Sequence, residues 1–478
     1  MSWPPSNAAS SRAVSSPSSN AASSRLDLVI VLLLLAWAVR VFWLGIASPP
    51  PGIDYYQFWL VGEAGSKVEI TNIYSPEGRE SLAQFGRELL AADPSSKRLA
   101  AAVGYRRTIE TFSTPFLYLA LRSVSTGNYD VDLDLFHAFS LACFAFAIMR
   151  LCRSCGYGWR TTCLVLLALL TCSDPLASDT RVANVNQIQL AGIAAYLWLL
   201  DDRSPVLRQA VAGLLLAVLI LFKPTLGLVF VFLAMGWVAD RRWRTLSIQS
   251  IAIGIGSTLA VVSSSIFLGS TRAWLDWMAA LPDLESAADV SVRIGNFCIS
   301  RIATELGAPE VSMPLLAATV LGTAWVVWSG IRRFGTLQGP QRSAYEDGRA
   351  EQQRERDYLM LALACAASVV ALRLVWVHYY LLVLPLAIYL LRPRLEQVAS
   401  VRGTWRSPVE AAAVSIAILG VLGGPLRIVM PRSGPYAAAL PYVTGAVLLF
   451  LFGLIELHRL GAPRKSSTNP SSRRSASR

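Results

Sequence analysis

The sequence predicts an all-α, polytopic transmembrane protein, and three observations carry that expectation. Only 15% of its 478 residues are charged and 54% are hydrophobic, against roughly 25% charged in soluble globular chains. Mean hydropathy is +0.47. Apolar runs of about 15–23 residues recur along the chain between short basic segments, as expected of helices that each cross a bilayer.

Twelve candidate spans follow, at 27–46, 132–152, 160–173, 186–200, 206–222, 225–239, 246–268, 312–331, 358–376, 378–392, 409–424 and 438–457. They form one transmembrane domain, 27–458, between disordered tails at 1–26 and 459–478. The first tail is Ser, Ala, Pro and Asn with two arginines, a composition that cannot bury a core. It is not read as a cleavable signal, because the apolar run from Leu28 is too long for one and no small-residue cleavage site follows it. Seven cysteines lie mostly within or beside apolar segments, and the Cys152–Cys155 pair has no second pair at zinc-site spacing. They read as packing residues or free thiols.

Charge orients the chain. The formal net charge of +12 is almost wholly arginine, since the lysines are only Lys67, Lys97, Lys223 and Lys465. In a soluble protein such a balance suggests nucleic acid. Here the arginines sit in short loops beside apolar runs, where they set topology, so nucleic acid is not an expected partner. The segment "FSTPFLYLALRSV", 112–124, is apolar but only 13 residues long. If it does not cross, the loops holding Arg153 and Arg160, Arg203 and Arg208, Arg241 to Arg244, Arg332 to Arg356 and Arg392 to Arg406 share one side with both termini. The positive-inside rule makes that side cytoplasmic. The protein is then expected in the cell membrane with both termini inside and its elaborate loops, 47–131 and 269–311, outside.

The chemistry-bearing stretches fall on that outer side. They are "GIDYYQFW" (52–59), "NIYSPEG" (72–78), "TFSTPFLYLAL" (111–121), "SDTRVANVNQIQLAG" (178–192), "LFKPTLG" (221–227), "RIGNFCIS" (293–300) and "WVHYYLLVLPLA" (376–387). Asp54, at a membrane rim, can accept a proton from a hydroxyl. Lys223, at a helix end with arginines nearby, can neutralise a phosphate. Asn184, Asn186 and Gln187 are amides at a helix start, suited to sugar hydroxyls or a phosphate oxygen. His378, between Trp376 and Tyr379, can shuttle a proton or bind substrate. Each has a plain structural alternative: interfacial anchoring for the aromatics, snorkelling for the lysine, capping for the asparagines. Their convergence on one side favours function. No nucleotide-binding fingerprint is present. Asp174 and Asp179 are the only acid pair near the rim, and no metal or other cofactor is expected.

Taken in order, these elements resemble glycosyltransferase family 87, the polyprenyl-phosphate-mannose-dependent mannosyltransferases of the GT-C superfamily. The resemblance covers roughly residues 27–392. It implies a GT-C-like fold with juxtamembrane helices in the outer loops. The implied activity is transfer of a hexose, mannose in the resemblance, from a polyprenyl-phosphate donor to a hydroxyl of a glycolipid or glycan, with inversion. Asp54 would be the general base, with His378 beside it. Lys223, helped by Arg181 and Arg293, would hold the donor phosphate. Tyr55, Tyr56, Asn184, Asn186, Gln187, Asn296 and Tyr379 would meet sugar or acceptor. Three departures bear on the sugar and acceptor more than on the fold: Ala183-Asn184-Val185-Asn186 where relatives commonly read Gly-Gln-x-Asn, Phe297-Cys298 after Asn296, and Ser113-Thr114-Pro115 for Tyr-Pro-Pro. The competing reading is a transporter or flippase for a lipid-linked sugar. It would call for ionisable groups deep in the spans and for repeated halves, and the sequence has neither.

Overall fold

In the computed structural model, residues 28–29, 31–40, 50–65, 67, 70, 72–200, 204–286, 291–308, 311–335, 340–392, 408–423 and 434–460 are described. The tail expected at 1–26, and that at 459–478 from 461 on, lie outside them. Among the described residues all regular structure is helical, with two isolated bridges, Ser173 to Gly423 and Asn296 to Trp376.

Helix α1 (Val31–Arg40) precedes a group of shorter helices: α2 (Ile53–Ala64), α3 (Pro76–Ala92), α4 (Lys97–Tyr105) and α5 (Pro115–Arg122). Local chemistry starts each of the last three. Ser75, Ser96 and Thr114 accept the amide N–H of Gly78, Leu99 and Leu117, while Pro76 and Pro115 occupy first-turn positions that need no N–H. At 8 residues α5 is about 12 Å long, far short of a hydrocarbon core of about 30 Å. A helix of that length is too short to span a bilayer by itself; α5 packs against α2 and then against the longer helices that follow.

The bundle begins with α6 (Tyr129–Ser154), capped by Asn128, followed by α7 (Trp159–Cys172), the short α8 (Asp174–Val182), α9 (Asn186–Leu199) and α10 (Val206–Phe222). A single 3-10 turn at Pro224–Leu226 leads into α11 (Gly227–Ala239) and α12 (Trp243–Phe267). The second large loop folds as α13 (Ala273–Ser286), a 3-10 turn at Val292–Ile294, and α14 (Ile299–Glu305). Then come α15 (Ser312–Gly335), α16 (Pro340–Val370), a 3-10 segment at Val377–Val383, α17 (Leu384–Leu391), α18 (Pro408–Leu422) and α19 (Pro435–Leu460).

Four helices among the described residues are long and apolar enough to cross a membrane: Tyr129–Ser154, Trp243–Phe267, Ser312–Ser329 and Pro435–Leu460. Six further apolar helices are shorter, at 10–17 residues, so length supports four of the twelve expected crossings. The apolar half of α16, from Leu359 to Ala367, is wholly buried and forms the centre of the bundle core. A second core gathers α2 to α5 around the start of α6.

The two ends of the bundle differ in charge. Where α11 ends and α12 begins, Arg242 pairs with Asp357 at 2.8 Å and Arg356 with Asp240 at 2.6 Å. Arg392, at the end of α17, pairs with Glu355. The other ends of α10, α11 and α16 lead to Lys223, Pro224 and the segment carrying His378.

Candidate active site

Asp54 is set by the turn before it. Gly52 caps α2 with φ of 58°, a left-handed conformation open to glycine at little cost. A Cβ there would lie 2.6 Å from Leu133 Cδ1 and 3.3 Å from Ala183 Cβ. The Tyr129 hydroxyl donates to the Pro51 carbonyl, fixing the same turn from α6. Asp54 then stands in the first turn of α2 on its half-buried face.

Both carboxylate oxygens are used. Arg106 Nη2 donates to Oδ1 at 3.1 Å, and Asn184 Nδ2 donates to Oδ2 at 2.8 Å. Arg106, at the C-terminus of α4, also bonds Glu110 at 2.8 Å, which ties α4 to the connection before α5. His378 Nε2 lies 3.9 Å from Asp54 Oδ2 and has no hydrogen-bond partner among the described residues.

The amides extend this contact into a chain. Asn184 follows Ala183, whose φ of 55° ends α8 in a left-handed turn. Asn186 opens α9; its Nδ2 donates to Asn184 Oδ1 at 3.1 Å and to Asp179 Oδ1 at 2.8 Å. Asn186 Oδ1 accepts from Lys223 Nζ at 2.8 Å. The Lys223 ammonium also lies over the Tyr379 ring, 2.9 Å from its centroid, a cation–π contact. Asp54, Asn184, Asn186, Asp179, Lys223 and Tyr379 thus form one continuous polar group. Gln187 donates to Thr180 Oγ1 at 3.1 Å on its flank.

Desolvation shapes the charges here. Burial pushes the Asp179 carboxyl up to about 7, although the Asn186 bond and the Lys223 charge oppose the rise. Desolvation of the half-buried Lys223 lowers its ammonium well below the usual lysine range, with Asp179 and Asp54 pulling the other way.

Not every residue singled out in the sequence joins this group. Tyr55 and Tyr56 turn into the second core, where Tyr55 packs on Phe136 at 4.7 Å between centroids and Tyr56 edge-on to Tyr129 at 5.9 Å. They pack α2 against α6 and do not join this polar group. Asn296 is fully buried and spent on backbone: Oδ1 accepts from Val375 N at 2.9 Å, and Nδ2 donates to the Arg373 carbonyl at 3.4 Å. Phe297 N donates to the Val375 carbonyl at 2.8 Å, and the Cys298 thiol to that of Arg373 at 2.8 Å. The "NFCIS" run therefore clamps the backbone that leads to His378. Arg181 is exposed on α8, near enough for its charge to act on His378. Arg293 is exposed on the 293–295 turn, where its charge acts on Tyr436. Of the acid pair, Asp174 accepts from the Tyr442 hydroxyl at 2.9 Å, so the two acids serve separate contacts.

Two participants are hidden from a sequence reading. Arg106 stands in "YRRT" with nothing local to separate it from Arg107, and only its 52-residue return to Asp54 marks it out. Asp179 is visible in the sequence as an acid, but not as the partner of Asn186.

Residues 112–344 match the model of glycosyltransferase family 87. Over that stretch, just under half of its length, the chain is similar to that family. The match runs from the start of α5 through α15 and includes Asp179, Asn184, Asn186, Lys223 and Asn296. Comparisons with curated proteins and with solved structures give no match. The apolar helices and the family together make the protein a membrane glycosyltransferase. Its substrates are accordingly a sugar donor and an acceptor.

Proposed function

We propose that this protein transfers a hexose, mannose by the family resemblance, from a polyprenyl-phosphate donor to a hydroxyl of a glycolipid or glycan at the outer face of the cell membrane. The observation that carries the reading is the Asp54 carboxylate, held at the bundle end by Arg106 and Asn184, with His378 at 3.9 Å and Lys223 joined through the amides. The arginine-paired end lies opposite, which supports an outer placement of Asp54 under the positive-inside rule.

In the proposed reaction the acceptor hydroxyl attacks the anomeric carbon from the face opposite the phosphate. The bond from that carbon to the phosphate oxygen breaks, and polyprenyl phosphate leaves with the bonding pair. Asp54 takes the hydroxyl proton as the new glycosidic bond forms. A carboxylate has about four lone-pair sites, so Asp54 can accept from the hydroxyl without releasing Arg106 or Asn184. His378 Nε2, buried beside Asp54, has a free position to relay that proton or bond the acceptor. Lys223 meets the charge that develops on the leaving phosphate, with the exposed Arg181 as second cation. Stabilising charge as it develops usually contributes more to catalysis than any other single effect. Asn184, Asn186, Gln187 and Tyr379 line the approach to sugar and phosphate.

The test supplies membranes containing the full chain with radiolabelled polyprenyl-phosphate mannose and a glycolipid acceptor. Asp54→Asn is expected to lose at least about 100-fold in transfer rate, the range of general-base catalysis, while still binding donor. Equal transfer by variant and wild type would remove Asp54 as the base.

A further inference from the structure

Asp179 has no part in the transfer chemistry above, yet it is wholly buried and one hydrogen bond from the residue that holds Lys223. A buried carboxylate keeps its charge only where a cation compensates it. Lys223 is that cation, linked to Asp179 through the two ends of the Asn186 amide. The same ammonium also compensates Asp54. Arg106 cannot substitute, because it is already shared between Asp54 and Glu110.

The remaining titratable neighbours leave Asp179 no other outlet. Asp54 on α2 is a like charge. Tyr379 and His378 approach from the 3-10 segment packed on α8, and neither adds a fixed positive charge. His137 of α6 bonds the Thr180 carbonyl at 3.0 Å and not the acid. Arg181 is on the same helix but exposed.

We propose that Asp179 takes up one proton whenever an anionic phosphate seats on Lys223, so that donor binding is proton-linked. The proposal rests on the reading of Lys223 as the phosphate site. Arg106 pairs with Asp54, but a phosphate there still leaves the Lys223 ammonium facing two anions, the phosphate and the buried Asp179 carboxylate, in a desolvated space. The wholly buried acid, with no second cation beside it, is the one to be neutralised. A proton from solvent adds to its carboxylate; no covalent bond breaks and no other group is consumed. Burial already holds the carboxyl at about 7 in the free protein, and a nearby anion raises it further. Binding near pH 8 therefore finds the acid mostly ionised and leaves it mostly protonated.

The experiment is titration calorimetry of the purified full chain with short-chain polyprenyl-phosphate mannose, without acceptor, in buffers of different ionisation enthalpy. This phosphodiester keeps a single charge across the range, so any proton taken up belongs to the protein. Uptake is expected to be on the order of one proton per site near pH 8 and close to none near pH 6, with Kd rising up to about tenfold per pH unit above 7. Asp179→Asn, which carries a permanently neutral amide, is expected to bind with a Kd nearly independent of pH and no uptake. Binding by wild type near pH 8 without proton uptake overturns the proposal, whether or not the variant folds. Equal uptake by Asp179→Asn overturns it too, placing the proton on Lys223 or His378. Failure to bind the phosphodiester at either pH removes the phosphate reading of Lys223 itself, and this proposal with it.

Discussion

Asn296→Ala tests whether Asn296 positions His378 or touches substrate. The substitution deletes an acceptor 2.9 Å from Val375 N and a weaker donor 3.4 Å from the Arg373 carbonyl. Leaving a buried N–H unsatisfied costs about 1–3 kcal/mol, and the longer contact adds little. The Phe297 and Cys298 bonds to the same segment survive, so the local loss is about 2 kcal/mol and the clamp loosens without dissolving. His378 lies just beyond Trp376, where the clamp ends, so the 3.9 Å approach to Asp54 is what slackens. Transfer should fall about tenfold or more in kcat, with the KM for donor unchanged within about twofold. Steady-state assays on purified protein of confirmed thermal stability read both constants. In an Asp54→Asn background the further loss should be much smaller, since both changes act on one step. A folded Asn296→Ala protein with wild-type kcat would refute the positioning argument. A loss confined to KM would instead restore Asn296 as a substrate contact.

Two more outcomes follow from the same geometry. Gly52→Ala forces a left-handed φ of 58° on a residue with a Cβ that meets Leu133 Cδ1 at 2.6 Å, which should destabilise by about 1–3 kcal/mol and lower transfer by displacing Asp54; thermal denaturation and activity together check this. Glu63→Ala removes a buried carboxylate bonded by Arg122 at 2.5 Å, Lys67 at 2.8 Å and Ser125 at 3.2 Å, remote from the Asp54 contacts. Because both cations remain partly exposed, the expected loss is about 2 kcal/mol, below that of a wholly buried pair. The folded fraction should keep wild-type specific activity, and a selective fall in kcat would contradict the purely structural role.

The helices are largely readable in advance because their signals are local. The expected span 246–268 corresponds to Trp243–Phe267, 206–222 to Val206–Phe222, and 132–152 to Tyr129–Ser154. An apolar run states its own preference for a nonpolar surrounding, and Ser75, Thr114 and Asn128 cap their helices with neighbours three residues on. Loop sidedness and motif order, aided by the family resemblance, also single out Asp54, Asn184, Asn186, Lys223 and His378, which the structure gathers into one place.

What the sequence by itself determined was therefore a basic, helical membrane chain, together with a family likeness and an expectation that its candidate site residues share one side. Tertiary structure decided the orientation of each side chain. Tyr55 and Tyr56 flank Asp54 in sequence, yet successive helical residues point about 100° apart, so packing on α6 turns them away from it. Asn296 reads as a ligand for sugar until Val375 and Arg373 are seen to claim both ends of its amide. Arg106 pairs with an acid 52 positions earlier, and Lys223 reaches Asp179 only through Asn186. A hydrogen bond spans about 3 Å and is indifferent to distance along the chain, so these partnerships exist only once the helices have docked.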